Sequence, residues 1–320
     1  SVTKPIALYY RVMNFQPENL ELIYTLFDCV VLEDPRSDTK KILRDTEVLF
    51  APLGFPVNAA KMGLCKMLRA VVSNTTSVSH IDIKTAAQRN VAICALYDEQ
   101  LFLNTITPTA EHTIGLMLAA WRQISSAHRA VLRGEWRRID WGAPRMFSRM
   151  RLGIVGFGRL GRKVANIAKA MEMVVNYYDP YVDGGVDDVV ELATCSDILS
   201  IHAVSNKETS GLISESVLKA LPKNAMVINT ARGELLDTNA LLDLMENGHI
   251  IAAALDTIDG EYEVGFEANL VKSRLLSYAR IHDNLILTPH IGGSTLDAWK
   301  ETQRRVIEKV ASTLGLRLQI

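Results

Sequence analysis

Short apolar runs alternate with amphipathic segments along most of this chain, and that alternation sets the fold class. Residues 5–12, PIALYYRV, read as a strand, and the QPENLELIYTLF that follows carries Leu20, Ile23, Leu26 and Phe27 at helical spacing. Cys29–Leu32 and Glu47–Ala51 are short strands with a polar helical stretch between them. Pro56–Leu68 reads as a helix, Ala70–Ser73 as a strand, Ile83–Arg89 as a helix and Val91–Leu96 as a strand. Short runs with no polar alternation suit strands buried on both faces, as in parallel sheets. The pattern over roughly the first hundred residues therefore predicts a small parallel α/β domain.

Thr109–Ile124 predicts a strong helix, with Thr109 as its cap and Glu111 in its first turn. Its alanine, leucine and methionine content suits tight burial between domains or subunits. Residues 125–150 are basic and carry Trp136 and Trp141. An irregular wrap-around segment explains that mix better than a nucleic-acid surface. Beyond it, strands are expected at 152–155, 173–178, 197–203, 225–229, 251–255 and 285–288, with helices between them. The last helix, Asp297–Leu314, is amphipathic and is expected to fold back onto the first domain.

Composition narrows the picture only a little. At 320 residues two domains are the natural expectation. With 48% hydrophobic and 22% charged residues, the chain is ordinary for a soluble globular protein. A formal net charge of −1 gives no general attraction to nucleic acid or to an anionic membrane. No apolar run approaches the ~18 residues of a membrane span, and the polar start SVTKP has no signal-peptide core. Four scattered cysteines, Cys29, Cys65, Cys94 and Cys195, show no metal-ligand spacing, so no metal is expected. A reducing cytoplasm suits them.

The chemistry centres on RLGIVGFGRLGRKVANIAKAMEMVVNYYDP, residues 151–180. A strand runs into Gly156, Gly158 and Gly161 in G-x-G-x-x-G spacing, a helix follows, and a second strand delivers Asp179 about twenty residues on. Gly156 permits the tight turn, Gly158 lets a pyrophosphate approach the backbone, and Gly161 lets the helix pack on the strand. The N–H groups at Arg159 and Leu160 open that helix toward the phosphates. Asp179 suits a ribose diol and its charge repels a 2′-phosphate, which favours NAD over NADP.

In open α/β sheets ligands sit beyond the carboxyl ends of the strands. Arg232 follows the strand AMVINT, Glu261 comes shortly after IIAAALD, and His290 follows LILTP. Each alone has a plain explanation: a carbonyl cap, a solvated loop acid, a turn histidine. For Glu261, flanked by Asp259 and Glu263, the plain explanation is the stronger one taken singly. Three such residues at strand ends beside a dinucleotide loop make coincidence a poorer account.

The words TAEHTIGLML, LGIVGFGRLGRKVA, INTARGELLD, AALDTIDGE and LTPHIGGST resemble the D-isomer-specific 2-hydroxyacid dehydrogenase family, from about Ala70 to the C-terminus. The resemblance implies an α/β protein of two Rossmann-like parallel-sheet domains, with an NAD-binding domain (102–290) inserted into a smaller flavodoxin-like substrate domain (1–101 and 291–320). It implies NAD-dependent interconversion of a 2-oxo acid and a D-2-hydroxy acid, in a cytoplasmic homodimer built largely around the helix from Thr109. His290 would be the general acid/base, and Glu261 would orient it and favour its charged form. Arg232 would hold the substrate carboxylate and polarise the carbonyl. Ala203, Val204, Thr230, Ala231 and Asp256 would line the nicotinamide and its ribose, with Thr109, Gly292 and Gly293 also on the cofactor side. Backbone at Thr75, Thr76, Ser77 and Val78 would meet the substrate carboxylate.

Departures from the family pattern bear on the substrate. The G-x-G-x-D-N-I-D turn is here Thr75–Asp82 without glycine. Val204-Ser205 replaces a common Pro-Leu, Tyr262 stands where a proline often follows the glutamate, and YDEQLFLNTITP lengthens the connection to Thr109. Glu261 argues against a formate dehydrogenase, which pairs glutamine with the histidine, and Ser73-Asn74-Thr75 lacks the lysine of phosphite dehydrogenases. Arg11, at the carboxyl end of the first strand, is a candidate for a second anionic group, although a surface arginine is the plainer reading. NAD-binding corepressors of the same family retain the arginine, glutamate and histidine, so a sensor is the rival function. The short stretch after the last helix favours the enzyme.

Overall fold

The computed structural model describes residues 2–318 and divides into two compact units: the residues up to Ile106 with those from Thr295 on, and Thr107–Ser294. Each is built on its own all-parallel sheet, so the fold is α/β with two parallel-sheet domains, one inserted in the other.

The first unit holds β1 (Ile6–Tyr10), β2 (Asp28–Leu32), β3 (Val48–Phe50), β4 (Ala70–Val72) and β5 (Ala92–Cys94). They lie in the order β2-β1-β3-β4-β5, the flavodoxin-like arrangement. Along β1 the side chains divide strictly by period two. Ala7 and Tyr9 enter one core with Phe15, Phe27 and Phe50, while Leu8 and Tyr10 enter the other with Leu49, Met62 and Val71. Burial on both faces is why the run shows no polar alternation. The Leu296–Thr313 helix supplies Val306, Ile307, Val310 and Ala311 to the first of these cores. The helix expected over Pro56–Leu68 forms only at Ala59–Leu64, where Asn58 accepts from the Lys61 N–H as its cap.

The second unit adds β6 (Arg151–Val155), β7 (Val174–Tyr178), β8 (Ile198–Ile201), β9 (Ala225–Asn229), β10 (Ile250–Leu255) and β11 (Leu285–Leu287). Their order is β11-β10-β9-β8-β6-β7. The chain leaves β6 for β7 on one side and returns to β8 on the other, so the strand direction of travel reverses between β6 and β8. A crevice opens at such a point, beyond the carboxyl ends of the two strands.

The long helix of this unit begins at Pro108 rather than being capped by Thr109, and Thr107 takes the N-cap position. Proline at the first helical position needs no N–H and has its φ preset for a helix. Thr109 thus lies inside the first turn. The helix stops at Trp121, and Gln123 at φ 51° turns the chain into a second helix, Ile124–Leu132. Ala110, Ile114, Leu116, Met117, Ala120 and Trp121 are buried against the six-stranded sheet, so this helix is core to its own unit. Among the described residues no helix is long and apolar enough to cross a membrane.

Candidate active site

Gly156 ends β6 with φ +90°, and a side chain there would come within 2.6 Å of the Ala203 nitrogen and 2.7 Å of the His202 carbonyl carbon. The glycine thus allows the backbone after β8 to close one side of the crevice, which is where Ala203 and Val204 sit. Gly161 lets the Arg159–Ala170 helix lie on its strand, because a Cβ would stand 2.2 Å from the Gly156 oxygen. Among the described residues, a Cβ on Gly158 would meet nothing within 4 Å. Open space therefore stands directly before a twelve-residue helix that has no side-chain cap. Arg159 and Leu160 open its first turn, the arrangement a pyrophosphate requires.

Asp179 caps this crevice from the end of β7. Its Oδ2 accepts the Phe157 N–H at 2.8 Å and its Oδ1 accepts the Tyr181 N–H at 2.9 Å. Each oxygen keeps a lone pair for a sugar hydroxyl. The Phe157 ring stacks on Tyr177 at 3.8 Å and 6°, and the Arg162 guanidinium lies over the Phe157 ring with Cζ 4.9 Å from the centroid. This stack, which stiffens the glycine loop, has no signature in the spacing of the motif. His202, after β8, accepts from or donates to Ser200 Oγ at 2.7 Å, and burial pushes its pKa down to about 4.

The turn after β9 is shaped by Asn229. Its amide donates to the Arg232 carbonyl at 2.9 Å while its Oδ1 accepts the Ala231 N–H at 3.0 Å. Thr230 Oγ1 lies 2.8 Å from Thr113 Oγ1, which ties the turn to the Pro108–Trp121 helix. Gly233 is a close-approach glycine, since a Cβ there would fall 2.0 Å from the Asp259 nitrogen. Its bareness lets the loop that carries Glu261 lie against the Arg232 turn.

His290 sits in the left-handed region at φ 54°, a cost that its surroundings must meet. Asp256, 2% exposed, meets it. The Asp256 carbonyl accepts the His290 N–H at 2.8 Å. Its Oδ1 accepts the Thr288 hydroxyl at 2.6 Å and the Ile291 N–H at 2.8 Å, and its Oδ2 accepts the Gly292 N–H at 2.9 Å. Asp256 thus grips the histidine turn and keeps one lone pair of Oδ2. His112 Nε2 extends the network, 3.2 Å from Thr288 Oγ1. Thr109 lies against the same turn, its Cγ2 placed 3.4 Å and its Oγ1 3.7 Å from where a Cβ on Gly292 would be.

The turn presents His290 Nδ1 2.8 Å from Glu261 Oε2. A carboxylate only accepts, so Nδ1 carries the proton and Nε2 is the nitrogen able to exchange one. Tyr262 Oη lies 3.2 Å from the same Nδ1, and the Arg232 Cζ stands 5.7 Å from the Tyr262 ring centroid. Guanidinium, imidazole and carboxylate therefore converge on one surface of this unit. Sequence reading noted Tyr262 only as a departure and assigned it no contact.

In the first unit, Thr75 Oγ1 donates to the Ser77 carbonyl at 2.6 Å and lies 2.9 Å from Ser73 Oγ, which is 3.2 Å from His80 Nε2. No described residue from 73 to 82 has a positive φ. Side-chain hydroxyls hold the Thr75–Val78 turn in a conformation that needs no glycine, which accounts for the missing glycines. Arg11 pairs with Glu33 at 2.7 Å, both side chains well exposed. Among the described residues no cluster of three His, Cys, Asp or Glu is placed to hold a metal ion.

A family profile described as D-isomer specific 2-hydroxyacid dehydrogenase, NAD binding domain, matches residues 114–292. D-3-phosphoglycerate dehydrogenase of Methanocaldococcus jannaschii is 31% identical over 281 residues, 85% of this chain and 50% of that protein. Glyoxylate reductase of Thermococcus litoralis is 30% identical over 307 residues, covering 88% of this chain and 86% of the relative. The chain spans about half the length of the phosphoglycerate dehydrogenases it matches. Among solved structures, D-lactate dehydrogenase from Aquifex aeolicus, complexed with NAD and lactic acid, superposes with TM-score 0.82 at 22% identity, over 98% of this chain and 96% of that one. That likeness is one of fold.

Proposed function

The chain belongs to the D-isomer specific 2-hydroxyacid dehydrogenase family, and from that premise we propose that it interconverts a 2-oxo acid and a D-2-hydroxy acid with NAD. The observation that carries the reading is the 2.8 Å His290–Glu261 pair on the surface that also holds Arg232. Bound at the glycine loop, NAD supplies or accepts the hydride. The residues of the chain do the rest. His290 gives a proton from Nε2 to the carbonyl oxygen during reduction and takes it back in oxidation. Glu261 keeps the ring in the correct tautomer and balances the imidazolium. Arg232, cationic at every working pH, grips the substrate carboxylate with its fork and polarises the carbonyl as charge develops. Gly156, Gly158 and Gly161 form the phosphate cradle, Asp179 holds the adenosine ribose, and Ala203, Val204, Thr230, Ala231, Gly292 and Gly293 flank the nicotinamide end.

A homodimer is part of this reading. Leu132, Trp136 and Ile139 expose 72, 86 and 87% of their surface in the segment after the buried helix, which supports a covered face there. Sedimentation at micromolar concentration tests it, and a monomer refutes it.

The decisive experiment is NADH oxidation with glyoxylate, hydroxypyruvate, phosphohydroxypyruvate, phosphonopyruvate and branched-chain 2-oxo acids. Turnover of any of them supports the dehydrogenase. Tight NADH binding with no turnover on the whole panel supports the sensor instead.

A further inference from the structure

Tyr262 follows the proposed orienting glutamate and touches both of the other groups. Its hydroxyl is 3.2 Å from His290 Nδ1, and its ring lies beneath the Arg232 guanidinium, with Cζ 5.7 Å from the centroid. Counting protons fixes the direction of these contacts. Nδ1 carries a hydrogen, because Glu261 Oε2 at 2.8 Å accepts it. That one hydrogen points chiefly at Glu261, and the phenol oxygen, at 3.2 Å, accepts the weaker branch of the same N–H. Its ring face, negative by its quadrupole, holds the guanidinium.

We infer that Tyr262 is a positioning residue that couples Arg232 to His290, an inference that rests on the dehydrogenase reading of this site. The physical need is plain. Arginine has a long, rotamer-rich side chain, and in the proposed reaction its fork and the imidazole must aim at one carbonyl oxygen. Glu261 fixes only the imidazole. A single side chain whose oxygen meets Nδ1 and whose flat ring lies under the guanidinium limits how far apart the two groups can stray. Proline, the residue common at this position in the family, offers neither a hydroxyl nor an aromatic face. At 40% exposure the ring lies open on the surface of its unit, so its role is not to fill a core. Replacing it should spare the fold.

Two measurements test this. In steady-state kinetics with the best 2-oxo acid, Tyr262→Phe keeps the ring and loses the oxygen. It is expected to lower kcat/KM for the oxo acid about tenfold or more, with KM for NADH unchanged. Tyr262→Leu, lacking the ring as well, is expected to lose more. Unchanged kcat/KM in both variants overturns the inference. The second readout needs neither cofactor nor turnover. In ligand-free protein labelled with [13Cζ]tyrosine, the Tyr262 resonance (assigned by its loss in Tyr262→Phe) is expected to shift at neutral pH in both Arg232→Met and His290→Gln. A resonance that moves in neither variant overturns the coupling. Should no 2-oxo acid be reduced by the wild type, the dehydrogenase reading fails, while the resonance still decides whether Tyr262 bridges the two side chains.

Discussion

Asp256 holds His290 in a left-handed turn: its carbonyl accepts the His290 N–H at 2.8 Å, and its buried carboxylate accepts the N–H groups of the next two residues. Thirty-four residues separate the two in the chain, and the pairing of β10 with β11 brings them together. Asp256→Asn keeps the shape but turns an amide N–H toward the Gly292 or Ile291 N–H. We expect a loss of about 1.5–3 kcal/mol in unfolding free energy, the worth of hydrogen bonds to a charged group, and a lower kcat. Urea unfolding equal to wild type would refute the gripping role.

Arg232 and His290 are expected to separate kinetically. Arg232→Ala should raise KM for the oxo acid and lower kcat together, since the guanidinium serves both binding and the transition state. His290→Gln should bind NADH as the wild type does while reduction falls by about 10²–10⁴-fold. Fluorescence titration with NADH and single-turnover rates check both, and a wild-type kcat in either variant removes that residue from the chemistry.

Asp179 presents one free lone pair per oxygen to a ribose diol, its other interactions being with the Phe157 and Tyr181 N–H groups. Asp179→Ala should weaken NAD and relieve the repulsion of a 2′-phosphate. The ratio of kcat/KM for NADH to that for NADPH is therefore expected to fall. An unchanged ratio would contradict the ribose assignment.

His202 gives stability a pH dependence. Burial lowers its pKa from 6.5 to about 4, so the folded state binds a proton less readily than the unfolded chain. Between these two values the unfolded chain takes up protons that the folded protein does not, and stability falls as pH is lowered from about 6.5 to about 4. In His202→Gln this part of the acid slope should disappear, although other groups keep theirs. Chemical denaturation at pH 7, 6 and 5 measures it, and parallel slopes for variant and wild type would exclude His202 as the source.

How much of this was legible beforehand depends on the range of the interactions involved. The amino-acid sequence by itself determined the local features: which runs are doubly buried strands, where glycine must replace a side chain after β6, and that Arg232, Glu261 and His290 end up after strands. Those follow from backbone sterics and from hydrophobic periodicity, which act within a few residues. Even there, the start of the Pro108–Trp121 helix was missed, because a threonine in cap position looks alike at 107 and at 109. Only the tertiary structure decided that Asp256 grips the turn of His290, that Gly233 admits the backbone of Asp259, and that Tyr262 reaches both Arg232 and His290. These contacts depend on strand order and on loops meeting across a sheet. A hydrogen bond between residues thirty or more positions apart leaves no period in the chain, since its geometry exists only after the strands have paired.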